Sequence, residues 1–290
     1  MKNIFILFFT TAITFQFFLD SINQIEKKTD DTDSIRTVTI SFVGDLMCHS
    51  QQFKFAQVSK DSFDFKPVFR EIKKYLTEAE LTIGNLETTI SGKENRYSGY
   101  PLFNSPGEYL EALKDAGFDI LLTANNHSLD RGKKGVLKTI NMIKNKGMES
   151  IGSYHSQQDR DSIRVFDING IKIAILAYTY GLNGNYIANN ERFLVNVIDT
   201  TLMKQDILNA RNKNTDVILV YFHFGDEYQR KPNSFQKEIV KRAIDYGADL
   251  IIGSHPHVIQ PVEYFSSNKI GNGLIAFSLG NFISNQRWHY

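Results

Sequence analysis

Two histidines one residue apart, His255 and His257, are the residues whose type and spacing most clearly indicate chemistry. They follow a short apolar run at residues 250–252 that ends in glycine and serine, a pattern typical of a buried strand breaking into a loop. Pro256 stiffens the turn between them, and neutral imidazole is the commonest metal ligand in proteins. The motif alone leaves two interpretations open: a metal site, or two loop histidines in contact with solvent.

Other residues able to bind a metal also occur where predicted strands end. In open α/β sheets the carboxyl ends of the strands meet at one crevice, where ligands bind. We therefore expect seven candidates from five strands at one rim: Asp45, Glu87, Asn126, His127, His223, His255 and His257.

Each position also has an ordinary structural explanation. Gly44-Asp45 could form a turn, Asn125-Asn126 could tolerate left-handed backbone, and His223 could be a hydrogen-bonded residue at a strand end. Their shared position at successive strand ends favours one metal-centred site instead. Carboxylate, amide and imidazole groups, with no clearly placed thiolate, indicate divalent ions of the Mn, Fe, Zn or Mg type.

His127 has a possible proton-transfer partner in Asp130, three residues later. A carboxylate bonded to an imidazole fixes its tautomer and raises its pKa, as a general acid requires. Alternatively, Asp130 caps the helix predicted to begin near Lys133. Both interpretations stay open, and no glycine-rich phosphate-binding loop occurs in the sequence.

Alternating strand and helix patterns predict the fold class. Predicted strands cover residues 37–43, 79–83, 118–123, 148–151, 163–168, 171–178, 216–222, 250–252 and 273–277. Predicted helices cover residues 67–77, 106–116, 133–146, 199–213 and 235–246. Strands that are apolar on both faces imply an α/β fold with helices over the sheets. The hairpin signal Asn169-Gly170 adds an antiparallel element, so we expect mixed sheets, with two sheets packed face to face as one arrangement.

Composition sets broad limits on function. The chain has 290 residues, of which 22% are charged, and a net charge of +1. It therefore lacks the strongly basic charge that is typical of nucleic-acid-binding proteins. Its length permits one large domain or two small ones. A single cysteine, Cys48, excludes an internal disulfide framework.

The N-terminus predicts export from the cytoplasm. Residues 4–19 are uncharged and rich in aromatic side chains. This stretch is shorter than the ~20 residues of a membrane-spanning helix and slightly longer than the ~7–15 apolar residues of a signal peptide. We expect residues 1–24 to be a signal or an N-terminal membrane anchor and residues 25–36 a polar linker. A buried helix is the alternative, but the stretch has no polar face.

Six motifs in order resemble the CapA/PgsA family of poly-γ-glutamate capsule biosynthesis proteins. They are GDLM (44–47), GNLE (84–87), NNHSLD (125–130), HFGDEY (223–228), GSHPHV (253–258) and SLGNF (278–282). That family is similar to the calcineurin-like metallophosphoesterases, which implies a four-layer α/β/β/α sandwich over residues 37–290 and a dinuclear metal site. The chain ends soon after Phe282 at Arg287–Tyr290, where family members usually continue, so we expect a truncated form.

The resemblance also implies roles for single residues. Asp45 and His257 would bind one metal, Glu87 would bridge the two metals in place of the usual aspartate, and His127 would protonate the leaving group. Asn126, His223 and His255 would bind the other metal.

One position departs from the phosphoesterase pattern. Those enzymes have a histidine two residues after the first aspartate, where this chain has Met47, and thioether is a poor ligand for hard ions. His49 is close in sequence, but its spacing is wrong for a direct substitute.

Two functions are expected from these features. The first is an extracytoplasmic metal-dependent hydrolase or transferase acting on an anionic polymer or phosphoester, which the His127–Asp130 pair favours. The second is a non-catalytic polymer-binding or export component, which Met47 favours. Expected partners are an anionic polymer such as poly-γ-glutamate and other membrane components of capsule synthesis, without nucleic acid. An intracellular nucleotide phosphodiesterase is disfavoured by the apolar N-terminus.

Overall fold

The computed structural model describes residues 36–286. The predicted signal or anchor, nearly all of the linker and the last four residues lie outside the described residues. Within residues 36–286, no helix is both long enough and apolar enough to cross a membrane.

Helices and strands alternate over much of the described chain, which ends in four successive strands. The helices are α1 (Ser50–Ala56), α2 (Lys66–Phe69), α3 (Lys73–Thr77), α4 (Glu108–Ala116), α5 (Gly132–Asn145), α6 (Gln157–Asp161), α7 (Thr200–Asn212) and α8 (Ser234–Tyr246). The strands are β1 (Ile40–Leu46), β2 (Gln57–Ser59), β3 (Ser62–Phe63), β4 (Leu81–Leu86), β5 (Ile120–Leu122), β6 (Glu149–Ile151), β7 (Arg164–Ile168), β8 (Ile171–Thr179), β9 (Val217–His223), β10 (Leu250–Ser254), β11 (Val262–Ser267), β12 (Gly271–Ala276) and β13 (Asn281–Ile283).

Two sheets carry the fold, besides the small β2–β3 pair. The first has the order β13-β1-β4-β5-β6 and is parallel throughout. The second has the order β11-β12-β10-β9-β8-β7, with four parallel strands flanked by antiparallel edges. The second sheet is mixed, as the Asn169-Gly170 hairpin signal predicts, and the first is parallel.

Three groups of buried apolar side chains define the layers. Ile83 of the first sheet and Leu219 of the second belong to one group between the sheets. Ile239 of α8 packs in a second group on the outer face of the second sheet. Leu110 of α4 packs in a third group against the first sheet. The order of layers is helices, sheet, sheet, helices, as the α/β/β/α prediction requires.

Two glycines allow the segment 277–280 to pass close to two strand ends. A Cβ atom on Gly44 would lie 1.8 Å from the carbonyl oxygen of Gly280, and one on Gly253 would lie 2.1 Å from that of Phe277. The Asp45 amide donates to the Gly280 carbonyl at 2.9 Å. This close packing brings the end of β1 beside the turn that follows β10.

Local differences from the predicted elements have physical causes. The predicted helix 67–77 is broken between α2 and α3. Hydrogen bonds there are of the 3₁₀ type, in which an amide such as that of Ile72 donates to the carbonyl three residues earlier, here Phe69. β1 and β4 run on through their motifs to Leu46 and Leu86. The predicted Asn169-Gly170 hairpin joins β7 and β8, with both turn residues at positive φ.

Candidate metal centre

The predicted site residues lie at the carboxyl ends of strands from both sheets. Asn126 Oδ1 of the first sheet is 2.9 Å from His223 Nε2 of the second, and Asp45 Oδ2 is 3.0 Å from His257 Nδ1. Each of the seven rim candidates is at most 8% exposed. The structure thus brings them together where the two sheets meet, and neither histidine of the His255–His257 turn is a solvent-facing loop residue.

Asp45 and His257 form a buried pair at the centre of this arrangement. Asp45 Oδ1 also accepts a hydrogen bond from Asn85 Nδ2 at 2.7 Å. Burial alone would raise the pKa of Asp45, but the hydrogen bonds from His257 and Asn85 hold it below its usual value. Burial likewise opposes the charge on His257, yet contact with Asp45 raises the pKa of His257. Each side chain therefore favours the charged form of the other.

Glu87 lies between His223 and His257. Its Oε1 is 3.6 Å from His223 Nε2 and 3.9 Å from His257 Nε2, and it has no hydrogen-bond partner among residues 36–286 although it is fully buried. Burial, followed by the negative charge of Asp45, raises the pKa of Glu87 well above its usual value. A buried carboxylate oxygen without a partner is costly in a protein, and a cation at this point would remove that cost.

Two buried imidazoles are kept neutral. Burial, followed by repulsion from neighbouring imidazoles such as His255 and His257 when these are protonated, lowers the pKa of His223 well below its usual value. Burial lowers the pKa of His255 to about 4, with the charge of His257 acting in the same direction. Metal ligation requires neutral imidazole. Both side chains are therefore in the ligand form at neutral pH.

His127 is bonded to the partner that its sequence spacing predicts. His127 Nδ1 lies 2.9 Å from Asp130 Oδ2, and the same carboxylate oxygen accepts a hydrogen bond from the Phe103 amide at 2.7 Å. The Phe103 ring contacts the imidazole edge-on, with centroids 4.7 Å apart. Asp130 and Phe103 together fix the ring orientation, which leaves Nε2 as the nitrogen available to a substrate. Asp130 does not cap α5, whose first turn it precedes without a side-chain bond.

The carboxylates and imidazoles form three overlapping groups with metal-ligand spacing. Within each group, one donor atom per residue lies within 4.8 Å of the others. The groups are Glu87-His223-His255, Asp45-Glu87-His257 and Glu227-His255-His257. The residues fit a divalent metal because the donors are carboxylate and imidazole, and because Glu87 Oε1 and His255 Nδ1 are buried without partners in the described part of the chain.

Several residues of the site were not singled out from the sequence. Asn85 Nδ2 lies within hydrogen-bond distance of Asp45, Glu87 and His223, so Asn85 is at the centre of the cluster. Asn281 Oδ1 lies 3.0 Å from His257 Nδ1. Both asparagines occur inside motifs of the family resemblance, GNLE and SLGNF, and this position in the motifs could have identified them as site residues.

Met47 stands where the phosphoesterases have a histidine, and His49 does not take over that position. Met47 is 1% exposed, and its amide donates to the Ile283 carbonyl at 2.9 Å. The His49 ring instead packs against Phe103 at 5.2 Å, with Nδ1 close to Gln52 and to the Asn285 amide. His49 belongs to none of the three metal-spaced groups.

Three tyrosines surround the histidines. Tyr180 packs on His255 with centroids 4.6 Å apart, Tyr228 lies 6.0 Å from His257, and Tyr100 lies 6.4 Å from His127. Tyr100 and Tyr180 are 74% and 40% exposed. The mouth of the site is therefore aromatic, and a ligand that reaches the histidines must pass these rings.

A cleft of about 580 Å³ is formed by the segments that follow β8 and precede α7. Its lining includes Leu182, Tyr186 and Arg192 but none of the predicted ligands. The same loop contacts the site, because Asn183 Oδ1 accepts from Asn126 Nδ2 at 3.1 Å. The cleft is thus separate from the metal-spaced cluster but joined to it by one loop.

Two CapA proteins of Bacillus species are similar to most of this chain. The capsule biosynthesis protein CapA of Bacillus anthracis is 31% identical over 260 residues, which are 87% of this chain and 61% of that protein. The PGA biosynthesis protein CapA of Bacillus subtilis is 29% identical over 261 residues, 89% of this chain and 66% of that protein. The chain spans less than two thirds of either relative.

Solved structures share the fold at low sequence identity. The NAD nucleotidase of Haemophilus influenzae superposes with a TM-score of 0.52 at 12% identity, covering 84% of this chain and 50% of that chain. A putative 5′-nucleotidase from Staphylococcus aureus gives a TM-score of 0.52 at 10% identity, covering 86% and 56%. These likenesses and the stacked sheets confirm the predicted fold class.

The profile of the family described as bacterial capsule synthesis protein PGA_cap matches residues 39–286, and this chain therefore belongs to that family.

Proposed function

We propose that this protein is a metal-dependent hydrolase or transferase that acts outside the cytoplasm on an anionic capsule polymer, of the poly-γ-glutamate kind, or on a phosphoester connected with its assembly. The observation that carries the proposal is the fully buried Glu87 Oε1 between His223 and His257, without a partner in residues 36–286. Such an atom fits a cation site better than a site that binds only a neutral or anionic group.

The metal roles follow from the three groups of donors. Asp45 and His257 would hold one ion; Glu87 belongs to the groups on both sides and would be shared. His223 and His255, with Asn126 Oδ1 close to His223, would hold the other. When bound, divalent ions would supply Lewis-acid activation of the ester and of an attacking water. The metal identity stays within the Mn, Fe, Zn or Mg type.

The acid role falls to His127. Asp130 holds Nδ1, so the proton on Nε2 would pass to the leaving oxygen of a phosphoester, or to the leaving nitrogen of a polymer amide, when that bond breaks. Phe103 covers one edge of the ring and keeps it in place. The substrate would reach this nitrogen between Tyr100 and Tyr180, both exposed at the mouth.

The experiment compares turnover of an aryl phosphate by the metal-free and Mn²⁺-loaded protein. We expect activity only with metal, and a loss of ~10²–10⁴-fold in His127→Asn, because general acid catalysis is typically worth that much. His155→Asn is the matched control, since His155 is exposed and remote in sequence from the site residues. Activity that persists without metal, or that His127→Asn leaves unchanged, would refute the catalytic proposal.

A non-catalytic polymer-binding function is the second candidate. The cleft beside the site favours it, because Arg192 and the amides of Gln157 and Asn185 line it and suit carboxylates. Arg192→Glu should then weaken binding of poly-γ-glutamate, whereas Arg70→Glu, at another exposed arginine, should not. Polymer binding that survives Arg192→Glu but requires metal would favour the catalytic function.

The location outside the cytoplasm is proposed from the apolar N-terminal sequence. Deleting residues 1–24 should leave a folded protein that no longer reaches the cell exterior. Fractionation of cells that express the full and shortened chains measures this, and unchanged export of the shortened chain would contradict the targeting role.

A further inference from the structure

Glu227 lies at the mouth of the metal-spaced cluster, on the segment between β9 and α8. One of its carboxylate oxygens and one nitrogen each of His255 and His257 lie within 4.8 Å of one another. Ligands on opposite sides of one ion are ~4.2 Å apart when each bond is ~2.1 Å. A shift of less than about 1 Å would therefore bring the Glu227 carboxylate to the ion that His257 would hold.

The backbone around Glu227 is tied directly to the histidine turn. The Tyr228 amide donates to the Pro256 carbonyl at 2.7 Å, and buried Gln260 donates through Nε2 to the Gln229 carbonyl at 2.8 Å. These two bonds lie immediately after Glu227 in the chain. They fix the distance between its Cα and the turn, so that only the side chain has to adjust.

The histidine turn has one ring nitrogen without a partner in residues 36–286. His255 Nδ1 is buried without a partner in the described chain, and the His255 residue is 3% exposed. The Asp45-Glu87-His257 group offers three donors, one fewer than a tetrahedral zinc site uses. Met47, the residue two after Asp45, offers only a thioether, which suits hard divalent ions poorly.

We propose that Glu227 is a further metal ligand of this site, which enters from the mouth and completes the shell of the ion that Asp45 and His257 would hold. The inference rests on the proposed function in requiring a divalent ion at the cluster. Because Glu227 is exposed and the other donors are buried, its carboxylate is the ligand that an incoming anionic group would displace.

The adjacent acid provides a matched control. Asp226 is also exposed, but its Oδ2 accepts a hydrogen bond from Asn233 Nδ2 at 2.9 Å, just before α8. Asp226 belongs to none of the three metal-spaced groups. Asp226→Asn therefore removes one negative charge from the same segment without removing a proposed ligand.

The test is calorimetric titration of the metal-free full chain with Mn²⁺ for wild type, Glu227→Gln and Asp226→Asn. We expect Glu227→Gln to raise the Mn²⁺ dissociation constant at least ~10-fold, or to lose one equivalent, since even residues that only support ligands cost ~10–100-fold. Asp226→Asn should bind as wild type does. The electron paramagnetic resonance spectrum of bound Mn²⁺ should change in Glu227→Gln alone.

The outcomes separate this inference from the proposed function. Wild type that binds Mn²⁺, together with Glu227→Gln that binds it equally well, would overturn the role of Glu227 and leave the proposed function standing. An equal loss in both variants would assign the effect to charge and would also overturn it. Wild type that binds no Mn²⁺ would overturn both.

Discussion

Acid should destabilise the metal-free protein because His255 is held neutral. Burial, with the charge of His257, lowers the pKa of His255 to about 4 in the folded state, whereas histidine in an unfolded chain has a pKa of ~6.5. Protons therefore favour the unfolded state. The stabilisation is complete above the unfolded pKa and is lost as pH falls toward the folded pKa. For one such group, the free energy of unfolding falls by about 2 kcal/mol between pH 7 and pH 4.5.

Urea unfolding with a chelator present at both pH values measures this loss. The perturbation is His255→Asn, because His255 has a φ of 99° and asparagine is among the residues that best tolerate left-handed backbone. Wild type and the exposed control His155→Asn should lose about 2 kcal/mol more than His255→Asn over the interval. His223 titrates in the same direction but is present in all three proteins. Equal pH dependence in wild type and His255→Asn would refute the reasoning.

Three further perturbations test separate parts of the structure. Asp130→Asn should lower turnover while metal content, measured by atomic absorption, stays constant; unchanged turnover would restrict Asp130 to its bond with the Phe103 amide. Met47→His should increase metal occupancy, since imidazole binds borderline ions better than thioether, and unchanged occupancy would contradict this. Gly44→Ala, whose methyl would lie 1.8 Å from a carbonyl oxygen, should reduce the free energy of unfolding by ~1–3 kcal/mol. The control for Gly44→Ala is Gly181→Ala, which has open space around it and should change the free energy of unfolding in a urea titration by less than ~0.5 kcal/mol.

The sequence patterns predicted the strand ends well because those ends are marked chemically. Runs that are apolar on both faces change to polar residues such as Asp45 and His223 within the last two residues of β1 and β9. The Asn169-Gly170 turn was predictable because both residues tolerate the positive φ that such a hairpin needs. Local chemistry is sufficient at these positions.

Long-range packing decides the features that the patterns missed. β13 is three residues long and pairs with β1 from the far end of the chain, so no local periodicity marks it. Asn85 contacts Asp45, and Glu227 reaches metal-ligand spacing with His255 and His257, only where two sheets and two loops meet. The break between α2 and α3 is likewise not marked by proline or glycine at 70–72.

Metal content is the most direct measurement of the proposed function. The chain should be purified without chelating resin and its divalent metal measured per chain for wild type, Glu87→Gln and the exposed control Glu78→Gln. Because Glu87 belongs to two of the three donor groups, we predict at least one bound ion in wild type and in Glu78→Gln, and a marked loss in Glu87→Gln. A metal-free wild type, or a Glu87→Gln variant that keeps the full metal content, would contradict a metal centre at this position.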